Sequence, residues 1–241
     1  MGDIGIIYYT DCSLERNGYQ AILEASRRTI AASGLPIVSC SLKPIDFGQN
    51  IVLDGLERSY PTMALQILTA LEASGMKYVF FCEHDVLYHR YHWDFMPPRD
   101  DLYYYNINNW RWEYPKDRAI SYDELTSLSG LCCNRELAIR HYQYRLRLID
   151  EWGLDKIRSR EPRWARRFGY EPGTKKRRKG GVTDEDHVRY RARRPNIDIR
   201  HGGTFSKPKV TLDSFIHPPT NFRERTLDRI PGWDLKGMFN L

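Results

Sequence analysis

The chain has 241 residues, of which 41% are hydrophobic and 28% charged, fractions that are ordinary for a globular protein with a sizeable core. Its first apolar run, at residues 4–9, is too short for a signal peptide or a membrane span. The 5 cysteines leave one over in any pairing scheme and include the adjacent Cys132 and Cys133, which argues against a disulfide framework. The absence of a CxxC spacing argues against a zinc site. We therefore expect a reducing compartment and a cytoplasmic location, which for a viral protein would be the host cytoplasm.

The first hundred residues alternate between strand patterns and helix patterns. Continuous hydrophobic runs predict three strands, and amphipathic stretches ending at glycines predict two helices between them. In chain order these are a strand at 4–9, a helix at 18–33, a strand at 35–42, a helix from 61 to 74 and a strand at 78–82. This rhythm predicts an α/β fold with a mostly parallel sheet flanked by helices.

The second half of the chain is less regular. Residues 101–106 predict a strand, and residues 134–153 predict a long helix. Residues 183–194 predict a short helix, because Thr183 can cap it and acidic residues occupy its first turn. Residues 197–203 and 210–222 have extended patterns. We expect a single domain over residues 1–241, with a nucleotide-sugar-binding half at 1–100 and an acceptor half at 101–241 that contains a basic loop at 156–181.

The third predicted strand ends in two acidic residues. Glu83 and Asp85 flank His84, so on extended backbone the two carboxylates would face one way and the imidazole the other. Ligands bind at the carboxyl ends of strands in open α/β sheets, and paired carboxylates suit Mg²⁺ or Mn²⁺ that also holds substrate phosphates. An ordinary solvated passage from strand to loop would have the same sequence, and both interpretations stay open on spacing alone.

This order of elements resembles the GT-A fold of nucleotide-sugar glycosyltransferases. A strand–helix–strand unit precedes a hydrophobic strand that ends in two acids separated by one residue, and the DxD motif of that family stands in this place. The resemblance implies a divalent ion, Mn²⁺ or Mg²⁺, and a nucleotide-sugar donor, for which a UDP-sugar is expected. It implies that Asp85 binds the ion and that Glu83 contacts the ribose or the ion. It further implies that His217 returns to the same ion, although a packed or surface histidine fits the sequence equally well.

Other stretches extend the resemblance to donor binding and catalysis. The first strand ends in YYTD, where such enzymes contact the nucleoside, and the resemblance implies donor contacts from Tyr8, Thr10, Asp11 and Arg58. His201 stands beside two glycines whose backbone could approach a diphosphate closely, and a simple turn explains the same residues. The stretch TDEDHVRYR resembles the acidic helix of family-two-like inverting glycosyltransferases. That match implies Asp186 as the general base with Glu185 beside it, whereas simple helix-dipole stabilisation and surface pairing would explain the same acids.

Positive charge is concentrated in one segment. The net charge is +6, and residues 156–179 hold 11 Lys/Arg against 2 Asp/Glu, while the rest of the chain holds 26 basic and 29 acidic residues. Basic groups interleaved with aromatic rings suit a phosphate-bearing acceptor, and solvated charge runs have the same composition. We expect acceptor contacts from Arg163, Trp164, Arg166, Arg167, Lys175, Lys176, Arg177 and Arg178.

The leading hypothesis is a metal-dependent, inverting glycosyltransferase whose acceptor is a hydroxylated base in DNA, as in a phage-type DNA-modifying enzyme. The base would have to leave the stack to reach the donor. A cell-surface glycan or lipopolysaccharide is the alternative acceptor. A metal-dependent nuclease or phosphotransferase, or a nucleic-acid-binding module without catalysis, would use the same acids and basic loop differently.

Overall fold

The computed structural model describes residues 3–122, 126–158, 163–174, 186–204, 210–215 and 218–241, with the side chains of Arg163, Trp164 and Arg166 left out. Within these residues, twelve strands and six α-helices form. The strands are β1 (Ile4–Thr10), β2 (Ile37–Ser41), β3 (Gln49–Val52), β4 (Tyr78–Glu83), β5 (Val86–Leu87), β6 (Tyr103–Asn106), β7 (Asn109–Glu113), β8 (Ala119–Ser121), β9 (Leu131–Asn134), β10 (His187–Tyr190), β11 (Asn196–Arg200) and β12 (Arg223–Arg225). The helices are α1 (Ser13–Arg16), α2 (Gln20–Ala31), α3 (Tyr60–Ala73), α4 (Arg135–Trp152), α5 (Leu154–Arg158) and α6 (Leu235–Phe239).

The larger sheet has seven strands in the order β10–β6–β9–β4–β1–β2–β3 within the described residues. Every neighbouring pair is parallel except the two pairs that β9 makes. The central strands β1 and β4 are buried almost throughout because helices cover both faces of the sheet. One face packs against α3 and α4 through residues such as Ile67 and Tyr142, and the other packs against α2 through Ile30. The predicted mostly parallel α/β class is confirmed.

The helices begin and end where their sequence signals predict. The Ser59 hydroxyl accepts a hydrogen bond from the backbone N–H of Thr62 at 3.0 Å and caps α3. Asn134 caps α4 in the same way, by accepting from the N–H of Leu137 at 3.2 Å. Helix α4 ends at Gly153, whose φ of +78° is costly for residues with a Cβ. The Ser59 cap lies at the carboxyl edge of the sheet, whereas Asn134 pairs with Tyr78 at the start of β4.

A second sheet, in the order β12–β8–β7–β11–β5, was not predicted from the sequence. Its core contains Trp110, Trp112, Ile197 and Ile199, which pack with residues of α2 and α6. Strand β5 follows β4 after a two-residue turn and pairs antiparallel with β11. This pairing connects the smaller sheet to the end of β4.

Two local predictions are wrong. The helix predicted at 183–194 is replaced at its described positions by β10, an edge strand that pairs parallel with β6. The open edge of β6 provides backbone hydrogen bonds that a helix at this position would not use. The extended stretch predicted at 210–222 contains a 3₁₀ turn at Leu212–Ser214.

The five cysteines are free and buried in the core. Among the residues that the structure describes, no helix combines the length and apolarity needed to cross a membrane.

Candidate active site

Three chain segments converge at the carboxyl edge of the larger sheet. Strand β1 ends at Thr10 and is followed by Asp11, while the neighbouring β4 ends at Glu83. The third segment is the end of β11, because the N–H of Ile199 donates to the carbonyl oxygen of Asp85 at 2.9 Å. The groups of β11 and the loop after it therefore stand beside the acidic residues.

The predicted acidic pair lies at this edge, but in a different conformation from the one expected. Residues 84 and 85 form a turn, so strand alternation stops at Glu83 and His84 also reaches the site. The Tyr9 hydroxyl donates to Glu83 Oε1 at 2.8 Å. Burial, and then the charge of Asp85, raise the pKa of Glu83 to about 8. Glu83 thus shares its environment with a second carboxylate.

Asp85 remains the more acidic of the two. Its Oδ2 lies 3.5 Å from Nε2 of His201. Burial alone would raise the pKa of Asp85, but His201, His84 and Arg200 outweigh this effect and lower it. Asp85 is therefore a stable anion that is partly open to solvent, with 15% of its side chain exposed.

The predicted donor residues Thr10, Asp11 and Arg58 form a second cluster around His84. Thr10 Oγ1 lies 2.6 Å from His84 Nδ1. Asp11 accepts from Arg58 Nε at 2.5 Å and from the N–H of Ser13 at 2.9 Å. Burial favours the neutral form of His84 and lowers its pKa. This cluster offers both an anion and a cation beside the end of β1.

Arg58 also joins the donor half to the loop after β11. Its guanidinium donates to the carbonyl oxygen of Gly203 at 2.7 Å. The N–H of Gly202 donates to the Tyr19 hydroxyl at 3.2 Å, and the Tyr19 ring lies 4.6 Å from that of His201. The loop that carries His201 is therefore held from two sides.

Tyr8, a predicted donor contact, lies in the core, where burial and, to a smaller extent, the charges of Cys12 and Asp85 raise its pKa. Its side chain is fully buried, and its ring packs edge-on against Phe47 at 4.9 Å. Successive residues of a strand point to opposite faces, so Tyr9 instead reaches Glu83. Tyr8 therefore stays a predicted donor contact, and the structure places the neighbouring Tyr9 at Glu83.

A buried ionic group on the second sheet completes the site and was missed in the sequence. Asp198 accepts a hydrogen bond from Arg200, and its Oδ2 lies 3.6 Å from Nε of Arg111. The positive charge of Arg200 lowers the pKa of both Glu83 and Asp85. The alternation of apolar and charged residues in NIDIR was the available signal, since it places Asp198 and Arg200 on one face of a strand.

Asp186, the predicted general base, lies at the opposite edge of the sheet. Strand register places His187 level with Tyr103, Cys133 and Val79, which is near the start of β4 rather than its end. Strand rise and spacing put Asp186 on the order of 20 Å from Glu83. Its carboxylate pairs there with Arg167, a predicted acceptor residue. The structure therefore does not bring Asp186 together with Asp85.

Several predicted site residues lie outside the described part of the chain. They are Glu185, His217, Lys175, Lys176, Arg177 and Arg178, together with the side chains of Arg163, Trp164 and Arg166. The described residues on either side of 175–185 are Thr174 and Asp186. Both stand near Tyr103, because a Cβ on the adjacent Gly173 would touch the Tyr103 ring and the Asp186 carbonyl oxygen.

A divalent ion at this site would need ligands from the acidic and histidine side chains. Among the described residues, no group of three or more His, Cys, Asp and Glu side chains has the arrangement of a metal site. The N–H of Gly203 donates to His201 Nδ1 at 3.1 Å, so neutral His201 carries its proton on Nε2 and presents a donor, not a ligand, to Asp85. Mg²⁺ and Mn²⁺ commonly take only one or two protein carboxylates when substrate phosphates complete their shell. Asp85 fits that smaller requirement as it stands, and Glu83 would fit it once the ion displaces its proton.

Comparisons with known proteins give similarity of shape only. No protein-family model matches the chain, and no curated protein matches its sequence. A solved glycosyltransferase involved in glycosylation of the major capsid of PBCV-1 matches with a TM-score of 0.43 and 11% identity, over 78% of this chain and 81% of that one. The catalytic domain of Drosophila β1,4-galactosyltransferase 7, solved with xylobiose, matches with a TM-score of 0.35 and 12% identity, over 60% and 52%. Because both TM-scores are below 0.5, the function has to be argued from the residues of this chain.

Proposed function

We propose that the protein is a glycosyltransferase that moves a sugar from a nucleotide-sugar donor to a hydroxyl acceptor. One observation carries the proposal. Acids and cations from the ends of β1, β4 and β11 converge at the carboxyl edge of a mostly parallel sheet. This edge is where open α/β sheets bind nucleotides, and the mixture of charges suits a ligand with hydroxyl groups at one end and a diphosphate at the other.

The diphosphate is the part of the donor that this site can hold by charge. Arg200 lies close enough to Glu83 and Asp85 to lower the pKa of both, so its positive charge acts inside the acidic cluster. Arg58 stands at the opposite wall, between Asp11 and the loop of Gly203. A bound Mg²⁺ or Mn²⁺, held by Asp85 and Glu83, would neutralise negative charge on the departing nucleoside diphosphate.

The transfer itself is a displacement at the anomeric carbon. The acceptor oxygen forms a bond to that carbon, the bond from the carbon to the diphosphate oxygen breaks, and the acceptor proton passes to a base. In the inverting reaction that we propose, the acceptor attacks from the face opposite the diphosphate. Asp186 is not the base of this proposal, because it lies at the other edge of the sheet.

For the acceptor, we propose a polyanion, with a hydroxylated base in DNA as the specific case. The support is the excess of positive charge at residues 156–179 in a chain that is otherwise slightly acidic. Polyphosphate chains bind such segments by releasing counterions. A phosphorylated glycan is the competing acceptor, and transfer assays with the two acceptors decide between them.

The decisive experiment measures donor binding and turnover in one set of variants. We expect a UDP-sugar with Mn²⁺ to raise the melting temperature of the wild type and to be slowly hydrolysed. Asp85→Asn should lose both effects, whereas Asp213→Asn, which removes an exposed carboxylate from a 3₁₀ turn, should keep them.

Two results would contradict the proposal. One is the failure of every nucleotide sugar, with or without Mn²⁺, to stabilise or react with the wild type. The other is full donor turnover by Asp85→Asn. Cleavage of plasmid DNA by the wild type, lost in Asp85→Asn and without turnover of any donor, would instead identify a nuclease.

A further inference from the structure

Two arginines contact one tyrosine at a surface away from the candidate active site, and the charge of a third acts on the same tyrosine. Arg90 and Arg193 each donate a hydrogen bond to the Tyr91 hydroxyl, at 3.1 and 3.2 Å. Their guanidinium carbons lie 4.9 and 5.0 Å from the centre of the Tyr91 ring. Arg194 acts on the same phenol, because its charge contributes to lowering the pKa of Tyr91. We call Arg90, Tyr91, Arg193 and Arg194 the Tyr91 cluster.

The cluster contains several positive charges, and no carboxylate among the described residues forms an ion pair with them. The positive charge also acts on the neighbouring His89. Burial lowers the pKa of His89 most, Arg90 and Arg194 lower it further, and the charge of Asp94 raises it. Like charges gathered at one place repel each other, and a bound anion would relieve that repulsion.

Tyr91 orients the guanidinium groups before any ligand arrives. An arginine fixed by an aromatic ring and a hydroxyl acceptor loses less side-chain freedom on binding than a solvated arginine loses. The exposed N–H groups of a planar guanidinium match two oxygens of a phosphate group. The cluster therefore has the chemistry of a phosphate site rather than that of a solvated charge run.

The position of the cluster relates it to the candidate active site. Arg193 and Arg194 precede β11, and Arg200 ends that strand at the acidic pair. Five residues separate Arg194 from Arg200, and β11 spans Asn196–Arg200, so the distance is at most on the order of 20 Å. Successive nucleotides advance by about 3.4 Å along a duplex, so about six of them would span the two places.

We propose that the Tyr91 cluster binds the phosphodiester backbone of a nucleic acid. A polymer with regularly spaced phosphates can occupy this cluster and reach the carboxyl edge of the sheet at the same time, which a single phosphate cannot. The inference rests on the proposed function only for the use of the bound polymer as sugar acceptor. Binding itself requires no donor, so it can be measured separately from transfer.

The test measures binding of a fluorescein-labelled 24-base-pair duplex by anisotropy at several salt concentrations, without nucleotide sugar. We expect the double variant Arg193→Gln, Arg194→Gln to bind about tenfold more weakly at low salt. Its plot of log affinity against log salt should be shallower by about 1.8, since each lost phosphate contact contributes about 0.9. Tyr91→Phe keeps the net charge and the ring but removes the hydroxyl acceptor, and we expect it to weaken binding about threefold.

A matched control separates the cluster from general charge. The double variant Arg28→Gln, Arg140→Gln also removes two exposed arginines, one on α2 and one on α4, and should bind nearly as tightly as the wild type. The proposal is overturned if this control loses as much affinity as the cluster variant, or if neither cluster variant loses any. It is also overturned if the cluster variants lose binding to heparin and keep binding to the duplex, because the partner would then be a sulfated glycan. Loss of duplex binding with normal donor turnover would leave the proposed function intact.

Discussion

His92 makes the stability of this protein sensitive to mild acid. The side chain is fully buried, and its Nδ1 accepts hydrogen bonds from the side-chain amides of Asn106 and Asn196 at 3.1 and 3.2 Å. The orientation of both amides is fixed, because their oxygens accept backbone N–H groups of Ala192 and His89, respectively. A proton added at Nδ1 would therefore face two N–H donors.

The magnitude follows from linkage. Burial lowers the pKa of His92 to about 3 from the ordinary 6.5. Between these values the unfolded chain binds a proton that the folded chain does not, so the free energy of unfolding falls as pH falls through this window. From pH 7.5 to pH 5.0 the loss due to His92 is about 2 kcal/mol. His141, also buried with a lowered pKa, adds to the loss in the same direction.

Urea unfolding at pH 7.5 and pH 5.0 isolates the contribution of His92. His92→Gln keeps an oxygen that can accept from the two amides but does not titrate. We expect the variant to be less stable than the wild type at pH 7.5, while its loss of stability on going to pH 5.0 is smaller by about 2 kcal/mol. An equal pH-dependent loss in the two proteins would refute the assignment.

Three further predictions concern single positions. Asp198→Ala removes a buried carboxylate that pairs with two largely buried arginines, Arg111 and Arg200. We expect the free energy of unfolding, measured with urea, to fall by about 3–5 kcal/mol. A fall below about 1 kcal/mol would contradict the burial of these pairs. Gly48→Ala places a Cβ 2.5 Å from a backbone carbonyl oxygen at a φ of +68°, whereas Gly55→Ala has a similar φ of +76° with open space around the new Cβ. We therefore expect Gly48→Ala to lower the melting temperature clearly more than Gly55→Ala does. Equal shifts in the two variants would exclude the clash. Asp186→Asn should keep the rate of sugar transfer within about threefold of wild type, because Asp186 lies far from the candidate site. Removal of a catalytic proton acceptor lowers the rate at least about a hundredfold. A loss of that size would show that Asp186 is the catalytic base.

The first half of the fold could be predicted because its information is local. Strands β1, β2 and β4 are mostly buried and rich in apolar residues, and helix α3 has its own N-terminal cap at Ser59. The rule that parallel strands bind ligands at their carboxyl ends then placed Glu83 and Asp85 at the candidate site. Local pattern and global fold agree in this region.

The second half could not be predicted because its information is non-local. Arg111 lies in the middle of a strand and is buried, which its own neighbours in the sequence do not explain; its partner Asp198 comes from a strand much later in the chain. Strand β10 has the acidic start and the four-residue charge spacing of a helix, and the free edge of β6 overrides both. Asp186 was assigned to the site because its stretch resembles an acidic helix of inverting glycosyltransferases, and the structure instead places it just before β10.

The hydrogen bond from Arg58 to Gly203 has a consequence for how the protein can be divided. A fragment that stops before β11 would keep the predicted nucleotide-sugar half, including Asp11, Glu83 and Asp85, yet would lose Arg200, His201 and the carbonyl oxygen that holds Arg58. One wall of the candidate site is thus synthesised well after Asp11, Glu83 and Asp85. Expression of residues 1–100 alone would supply the acids without the surroundings that set their charge, and studies of the donor reaction need the chain through β11.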